Sequence, residues 1–415
     1  MLDNHLHYGN ALGIDQRRIV WGRVLDMNER ALREVVIGLG GTGNSIPRQS
    51  SFSITPASEV MATLCFSETL PELRERLGRI VVAYGLDGRF ITARDLRAQG
   101  AMTVLMRYGL QPNIVQTLEG NPALIHGGPF GNIAHGCNTV NATKLGLRLA
   151  DYTVTEAGFG ADLGAEKFIN IKCRKTGLRP DAVVLVATVR ALKFHGGVKV
   201  ADLAQPNLSA LKDGLGNLIK HIENLRDFGL PVIVSINVFG SDTPDEWQVI
   251  REACDEVGVK VALSEHFSRG GAGAEELARM VVETTSQPST GPLNFTYPDD
   301  VPLLEKARLI AQRIYGADDV VAEGKTAEKL ASFEKAGFGH LPICMAKTQY
   351  SFSANPQLRG RPRGFTVPLR DARLSAAPGF VVISTGDIMT MPGLPKVPAA
   401  EAMDVDANGN TVGLF

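Results

Sequence analysis

Three short apolar runs alternate with helical segments in the middle of the chain. The runs are 182–188, 232–239 and 259–263. Between the first two, leucine and isoleucine recur every three or four residues from about Asn207 to Phe228, which indicates a helix with one buried face. Thr243 can cap a second helix that reaches about Val257, and a third is predicted over 273–282. This βαβαβ order predicts an α/β fold with a doubly wound, mostly parallel sheet.

The loops that follow the predicted strands are the expected ligand site. In open parallel sheets, ligands bind outside the carboxyl ends of the strands. Here those ends lead into 190–198, 239–242 and 264–273, which are rich in glycine and polar residues. The sequence therefore predicts a binding site along this edge.

Composition excludes several classes of partner. The 43 Lys and Arg residues nearly balance the 44 Asp and Glu residues, so no basic field would attract nucleic acid or a membrane surface. No apolar run approaches the length of about 18 residues that a membrane span needs, and no secretory signal begins the sequence, so we expect a cytoplasmic protein. The 5 cysteines form no C-x-x-C pair, which predicts buried thiols and no metal site.

Three motifs imitate known sites in the wrong context. The first resembles a dinucleotide-binding turn, but no helical pattern follows it. The second resembles the end of a phosphate-binding loop (P-loop) but lacks the leading glycine, and the third resembles a calcium loop but lacks the final glutamate. We interpret the second as a loop before a helix and the third as a hairpin turn. The motifs are Gly38-Leu-Gly40-Gly-Thr-Gly43, Gly324-Lys325-Thr326 and Asp404-x-Asp406-x-Asn408-Gly409.

Several long phrases, in order along the whole chain, resemble formate–tetrahydrofolate ligases. They are D-N-H-L-H-Y-G-N at Asp3, A-S-E-V-M-A at Ala57, P-N-I-V-Q-T-L-E at Pro112, H-G-G-P-F-G-N-I-A-H-G-C-N at His126, T-E-A-G-F-G-A-D-L-G-A-E-K-F at Thr155, L-P-I-C-M-A-K-T-Q-Y-S at Leu341 and M-P-G-L-P-K at Met391. The resemblance implies ATP-dependent joining of formate to tetrahydrofolate through formyl phosphate, which gives 10-formyltetrahydrofolate. It also implies ATP with Mg²⁺ as co-substrate, a possible monovalent cation, and a homotetramer of three-domain subunits.

The resemblance also divides the chain into domains. Residues 1–165 would be the remainder of an N-terminal nucleotide-binding domain with a P-loop NTPase-like fold. Residues 166–285 would form the folate-binding domain, and residues 286–415 a smaller C-terminal α/β domain. A Ser-, Thr-, Gly- and Pro-rich linker is predicted over 285–294, and residues 56–118 are predicted to be mainly helical.

By resemblance, the pterin ring is held between two aromatic side chains. The matching residues are Phe239 and Phe267, which follow successive predicted strands, with Leu263 and Phe159 lining the same pocket. Phe267 stands where the family usually has Trp, and a smaller ring offers less stacking area. Two further departures, Gln49 and Ser53, replace residues that are usually acidic.

Five polar residues in the glycine-rich phrases are candidates for contact with anions or substrates. Such phrases are unsuited to a packed core. We assign catalytic roles to His126, Asp162 and Lys347, and cofactor contacts to Asn132 and His135.

The sequence contains no G-x-x-x-x-G-K-[ST] phrase. In the family, that P-loop and an Arg that holds formyl phosphate precede the position matched by Met1. Three hypotheses follow: an enzyme fragment that needs a separately encoded P-loop segment, a non-catalytic folate-binding or assembly subunit, and a nicotinamide-dependent folate dehydrogenase that relies on the Gly38–Gly43 turn.

Overall fold

The computed structural model describes residues 1–286 and 291–414, so part of the predicted linker lies outside the described residues. Residues 1–176 form short helices around small sheets. The helices are α1 Leu2–His7, α2 Glu59–Phe66, α3 Leu70–Gly78, α4 Gln99–Leu105, α5 Val140–Leu149, α6 Gly164–Lys167 and α7 Arg174–Thr176. The strands are β1 Ile14–Ile19, β2 Arg23–Val24, β3 Val35–Ile37, β4 Arg48–Ser50, β5 Phe52–Ser53, β6 Val81–Gly85, β7 Phe90–Thr92, β8 Asn113–Gln116 and β9 Pro122–Ile125.

The rest of the chain contains longer helices and the parallel strands. The central elements are β10 Val183–Ala187, α8 Val189–His195, α9 Leu208–Asp227, β11 Val232–Asn237, α10 Pro244–Glu256, β12 Lys260–Ser264, α11 His266–Arg269 and α12 Glu275–Thr285. The last elements are α13 Leu303–Ile310, β13 Asp319–Ala322, α14 Thr326–Phe333, β14 Ile343–Ala346, β15 Thr366–Leu369, β16 Asp371–Ser375, β17 Phe380–Ser384, β18 Asp404–Val405 and β19 Thr411–Val412.

The predicted βαβαβ unit is present. Strands β10, β11 and β12 pair in parallel and in sequential order. Helix α9 begins where the Asn207 side chain accepts a hydrogen bond from Ala210 N, 3.0 Å away, and it buries Leu211, Leu218 and Ile222 in one cluster with the sheet. A doubly wound sheet requires a reversal of strand order, which these three strands do not contain, so that finer topology stays a prediction.

Two predictions of local structure were wrong. Residues 190–198, predicted as a loop, lie mostly in α8, which Thr188 caps by accepting a hydrogen bond from Ala191 N. Residues 56–118 contain not only helices α2 to α4 but also strands β6 and β7, which form an antiparallel sheet with β1. Helix α8 and strands β6 and β7 are short, and a short apolar run does not distinguish a strand from a helix.

The three imitative motifs are turns and loops. Gly38 to Gly43 lies between the antiparallel strands β3 and β4, so no helix follows it as a dinucleotide-binding turn requires. Asn408-Gly409 lies in the turn between β18 and β19, with Gly409 at φ 83°, as predicted for a hairpin. Gly324 and Lys325 form a turn before α14.

The largest buried cluster joins residues from all parts of the chain. It contains Val81, Phe168 and Phe228 together with the apolar sides of α13, β14 and β17. The domain boundaries at 165 and 285 stay predictions. All five cysteines are buried and unbridged, as expected, and within the described ranges no helix combines the length and apolarity of a membrane span.

Candidate active site

Phe239 and Phe267 lie at the same edge of the parallel sheet. Asn237 at the end of β11 is in register with Ser264 at the end of β12, so both chain segments leave the sheet side by side. The two phenylalanines follow these ends directly, and 38% of Phe239 and 95% of Phe267 is exposed. Leu263 lies on β12 opposite Ile236. The structure therefore places Phe239, Phe267 and Leu263 at or near one edge of the sheet, and their contact with a pterin stays a prediction.

The backbone of Phe239 is held by the turn that starts α10. Its N–H donates to an Asp242 carboxylate oxygen 2.9 Å away. Burial raises the pKa of that carboxyl, whereas the Phe239 hydrogen bond opposes the rise. The guanidinium carbon of Arg190 lies 5.5 Å from the centre of the Phe239 ring, so a cation faces one side of this platform.

The loop that carries Phe267 closes on itself. Ser264 Oγ and His266 Nδ1 lie 2.8 Å apart, and Glu265 N donates to Gly273 O at 2.9 Å. A Cβ at Gly273 would lie 2.5 Å from the backbone of Glu265, so only glycine permits this closure. The loop consequently presents Phe267 to solvent on a short helix.

Phe159 has the backbone conformation of a strained site. Its φ is 65°, which is uncommon for a bulky residue, and 54% of its surface is exposed. A Cβ at Gly131 would lie 2.8 Å from the Phe159 ring, and Gly158 N donates to Gly136 O at 3.1 Å. The glycine-rich phrases around positions 131 and 159 therefore pack directly against each other.

Asp162 and Lys347 form a buried ion pair, with 2.9 Å between carboxylate and ammonium. Lys347 also donates to Thr348 O at 2.8 Å and to Ser351 O. Burial disfavours the charge of Asp162, yet Lys347 and His221 together hold its pKa below the usual range. Burial lowers the pKa of Lys347, and Asp162 opposes that shift.

His221, which was not predicted from the sequence, also belongs to this cluster. Its ring lies on α9, 4.6 Å from the ring of Phe352. A Cβ at Gly160 would meet Asp162 Oδ1 at 2.7 Å and His221 Cε1 at 3.4 Å. His221 Nδ1 is buried without a hydrogen-bond partner in the described chain. The sequence offers one sign of this placement. His221 stands three positions after Leu218 and four before Leu225, which puts a polar residue on the buried side of the helix.

Helix α8 connects this cluster with the aromatic edge. Arg190 in its first turn lies over Phe239. His195 lies in the last turn of α8. Burial, followed by the charges of His221 and other neighbours, lowers the pKa of His195 to about 4, and Asp162 opposes this shift. Five residues of helix separate the two positions, which corresponds to roughly 8 Å.

The expectation that the polar candidates lie outside a packed core was wrong for four of them. His135, Lys347, Asp162 and His126 are all buried. His126 Nδ1 lies 2.7 Å from Thr139 Oγ1, and its Nε2 lies 2.7 Å from Gly109 O. Both nitrogens are therefore occupied by the protein itself.

His135 and Asn132 carry buried polar atoms without partners. Neither ring nitrogen of His135 nor Asn132 Oδ1 has a hydrogen-bond partner among the described residues. His135 packs on Phe66, with 4.4 Å between ring centres. Burial, followed by the positive charges of nearby lysines, lowers its pKa to about 3. The assigned roles of all five polar candidates stay predictions.

A Mg²⁺–nucleotide cradle would need a phosphate-binding loop and metal ligands. The sequence has no P-loop phrase, and in residues 1–286 and 291–414 no three His, Cys, Asp or Glu side chains are grouped to hold a metal. Mg²⁺ and a monovalent cation therefore stay predictions.

A parallel sheet with aromatic side chains at its carboxyl edge and a buried polar cluster nearby is typical of α/β enzymes that bind a planar ligand. The sequence model of the family described as formate–tetrahydrofolate ligase matches residues 1–415. The chain belongs to the formate–tetrahydrofolate ligase family, a family of ligase enzymes.

Named relatives match over the whole chain. A formate–tetrahydrofolate ligase of Methylobacterium sp. (strain 4-46) is 58% identical over 416 residues, which cover 100% of this chain and 75% of the relative. That of Methylorubrum populi is 59% identical and that of Paracoccus denitrificans 58% identical, each with 100% of this chain and 74% of the relative covered.

Proposed function

We propose that this chain catalyses the ATP-dependent ligation of formate to tetrahydrofolate, which gives 10-formyltetrahydrofolate. The observation that carries the proposal is the placement of Phe239 and Phe267 at one edge of a parallel sheet, in a chain of this family. A flat, partly reduced pterin needs an apolar slot, and aromatic faces provide one with a defined orientation.

The reaction proceeds in two displacements. A formate oxygen attacks the γ-phosphorus of ATP, ADP leaves, and formyl phosphate forms. The N10 amine of tetrahydrofolate then attacks the formyl carbon, the bond to the phosphate oxygen breaks, and the amine loses its proton. Holding the amine against the formyl group is a matter of orientation, to which residues that fix the pterin contribute most.

The nucleotide phosphates need a cradle, and the sequence contains no P-loop phrase that would form one. About a quarter of the length of the named relatives lies outside the match with this chain. A P-loop segment from that part of the family, joined or added separately, would complete the site. The resemblance also favours a homotetramer as the working assembly.

A second candidate is a folate-binding or assembly subunit without catalysis. The absence of a P-loop phrase from the sequence favours it. It differs from the first only in whether bound folate is formylated.

Product formation tests both candidates. We would measure 10-formyltetrahydrofolate with ATP, formate and tetrahydrofolate present and each omitted in turn, for the chain alone and with a P-loop fragment of a relative added. Direct tetrahydrofolate binding is measured in parallel. Binding by the chain, with product only after complementation, supports the ligase. Binding without product in either sample favours the non-catalytic subunit, and a folded chain that binds no tetrahydrofolate contradicts both.

A further inference from the structure

The loop that carries Phe267 has one hydrogen bond to a distant part of the described chain. Within residues 265–274, the other hydrogen bonds close the loop on itself, as between Glu265 N and Gly273 O. The exception is Gly271 N, which donates to a carboxylate oxygen of Glu119 at 2.5 Å. Phe267 lies four residues before Gly271, so this contact fixes the backbone just beyond the platform.

The Glu119 carboxylate lies in the space that a side chain at Gly270 or Gly271 would occupy. A Cβ at Gly270 would lie 2.7 Å from Glu119 Oε1, and a Cβ at Gly271 would lie 2.5 Å from Oε2. Gly270 also has a φ of 58°, in the left-handed region. Any larger side chain at either position would push the carboxylate away or strain the turn.

Glu119 lies at the tip of the hairpin formed by β8 and β9. The turn is closed by Thr117 N donating to Asn121 O at 2.9 Å, while the residues of β8 are all exposed. At the base of the hairpin, the next residue after β9 is His126, which is buried with both ring nitrogens bonded to the protein. The hairpin is therefore anchored at its base by His126 and at its tip by Glu119.

We propose that Glu119 is a positioning residue of the folate site: its carboxylate holds the Gly270–Gly271 turn and thereby the orientation of Phe267. The inference rests on the proposed function, since it assigns a purpose to the contact only if Phe267 stacks on the pterin. A carboxylate accepting from a backbone N–H forms a charge-assisted bond, which is stronger than a neutral one. The hairpin thus links the buried His126 to the exposed loop that carries Phe267.

The test compares Glu119→Ala and Glu119→Gln with wild type. Hydrogen exchange of residues 265–274 is measured without ligand, and tetrahydrofolate affinity is measured by titration. We expect Glu119→Ala to exchange faster around Gly271 and to bind tetrahydrofolate about fivefold more weakly. Glu119→Gln keeps an oxygen acceptor and should stay within about twofold of wild type. The unfolding midpoint should not change in either variant, which separates positioning from general destabilisation.

Glu252→Ala is the matched control. Glu252 is an exposed glutamate on α10 that accepts a hydrogen bond from Gln248, and its loss should leave exchange and affinity unchanged. The inference is overturned if Glu119→Ala leaves the affinity unchanged, whether or not exchange increases. If the wild type binds no tetrahydrofolate, the proposed function fails and the inference fails with it, whereas an unchanged affinity in Glu119→Ala beside a wild type that binds overturns the inference alone.

Discussion

Phe267 is almost fully exposed, on a loop that a hydrogen bond between Glu265 N and Gly273 O closes. A side chain with this exposure contributes little to the packed core. Replacing it tests whether the ring is a stacking platform without disturbing the core.

We expect Phe267→Ala to weaken tetrahydrofolate binding by about 1 kcal/mol or more, because a stacking face is lost. Titration of the folded chain measures the change. Tyr8→Ala, at another aromatic residue with 78% exposure, should leave affinity as in wild type. Equal affinity in Phe267→Ala and wild type would remove Phe267 from the site.

The Asp162–Lys347 pair is buried on both sides. We expect Lys347→Met to lower the free energy of unfolding by about 3–5 kcal/mol, because it leaves a carboxylate buried without its partner. Urea denaturation measures the loss, and the double variant Asp162→Asn/Lys347→Met should recover part of it. Arg279→Ala breaks an ion pair that is exposed on both sides and should cost less than about 1 kcal/mol. A similar cost for both single variants would contradict the buried role.

His135 makes stability depend on pH. In the folded protein, burial and nearby lysines lower the pKa of His135 to about 3. In the unfolded chain its pKa is about 6.5, the ordinary value for histidine. Between these values the unfolded state binds the extra proton, so stability falls as pH falls through that window. Burial raises the pKa of both Glu59 and Glu166 to about 7. These two groups therefore increase the stability of the folded state as pH falls from about 7 to 4.5, opposite to the effect of His135.

We therefore expect His135→Gln to reduce the loss of stability between pH 7 and pH 5 by about 2 kcal/mol. Urea unfolding of the variant and wild type at both pH values measures the difference, in which the glutamate contributions cancel. His340→Gln, at an exposed histidine, should retain the pH dependence of wild type. The same dependence in His135→Gln would show that the ring is not buried neutral.

At the scale of elements, the start of α10 joins a local signal to a tertiary contact. Thr243 and Glu246 form a capping box, and Glu246 also pairs with Lys193 of α8 at 2.9 Å, with both side chains fully buried. The cap is readable from sequence, whereas the ion pair is not.

We expect Thr243→Ala to lower the free energy of unfolding by about 1 kcal/mol, because the N-terminal N–H groups of α10 lose their acceptor. Thr243→Ser keeps the hydroxyl and should retain most of the stability. Thermal or urea unfolding measures both. If Ser is no better than Ala, the hydroxyl does not act as the cap.

The same contrast explains what could be predicted about the elements. Helix α9 and strands β11 and β12 were predicted nearly to the residue because their periodicity and end signals are local. Helix α8 and strands β6 and β7 were not, because each is short and depends on packing against neighbours distant in sequence. Phe239 and Phe267 were expected at the carboxyl edge of the sheet from the family resemblance and the strand order, and they lie there; their contact with a pterin stays a prediction. The burial of His135 and Lys347 depends on distant residues, and glycine-rich phrases wrongly indicated exposure.

At the scale of the whole molecule, β10 is an edge strand of the described sheet with an exposed apolar face. Val184 and Val186 are 38% and 61% exposed. An apolar edge strand favours pairing with other chains.

We expect the 415-residue chain to self-associate or aggregate as its concentration rises, and Val186→Lys to reduce this. Light scattering measures the effect. Val405→Lys, at a valine of 62% exposure on the β18 hairpin, is the matched control and should change little. A sharp, monodisperse tetramer of the wild type would contradict uncontrolled association and support the assembly that the family resemblance implies.

The sequence alone indicated the family, the βαβαβ unit, the Thr243 cap and the position of two phenylalanines near the strand ends. The βαβαβ unit and the cap depend on residues close together in the chain, through local periodicity and hydrogen bonds, whereas the family and the two phenylalanines were indicated by phrases spread along the whole chain. Only the tertiary structure decided that Glu119 holds the Gly270–Gly271 turn, that His221 lies beside Asp162, and that His126 and His135 are buried. Those contacts join segments far apart in sequence, and close packing of the whole chain brings them together.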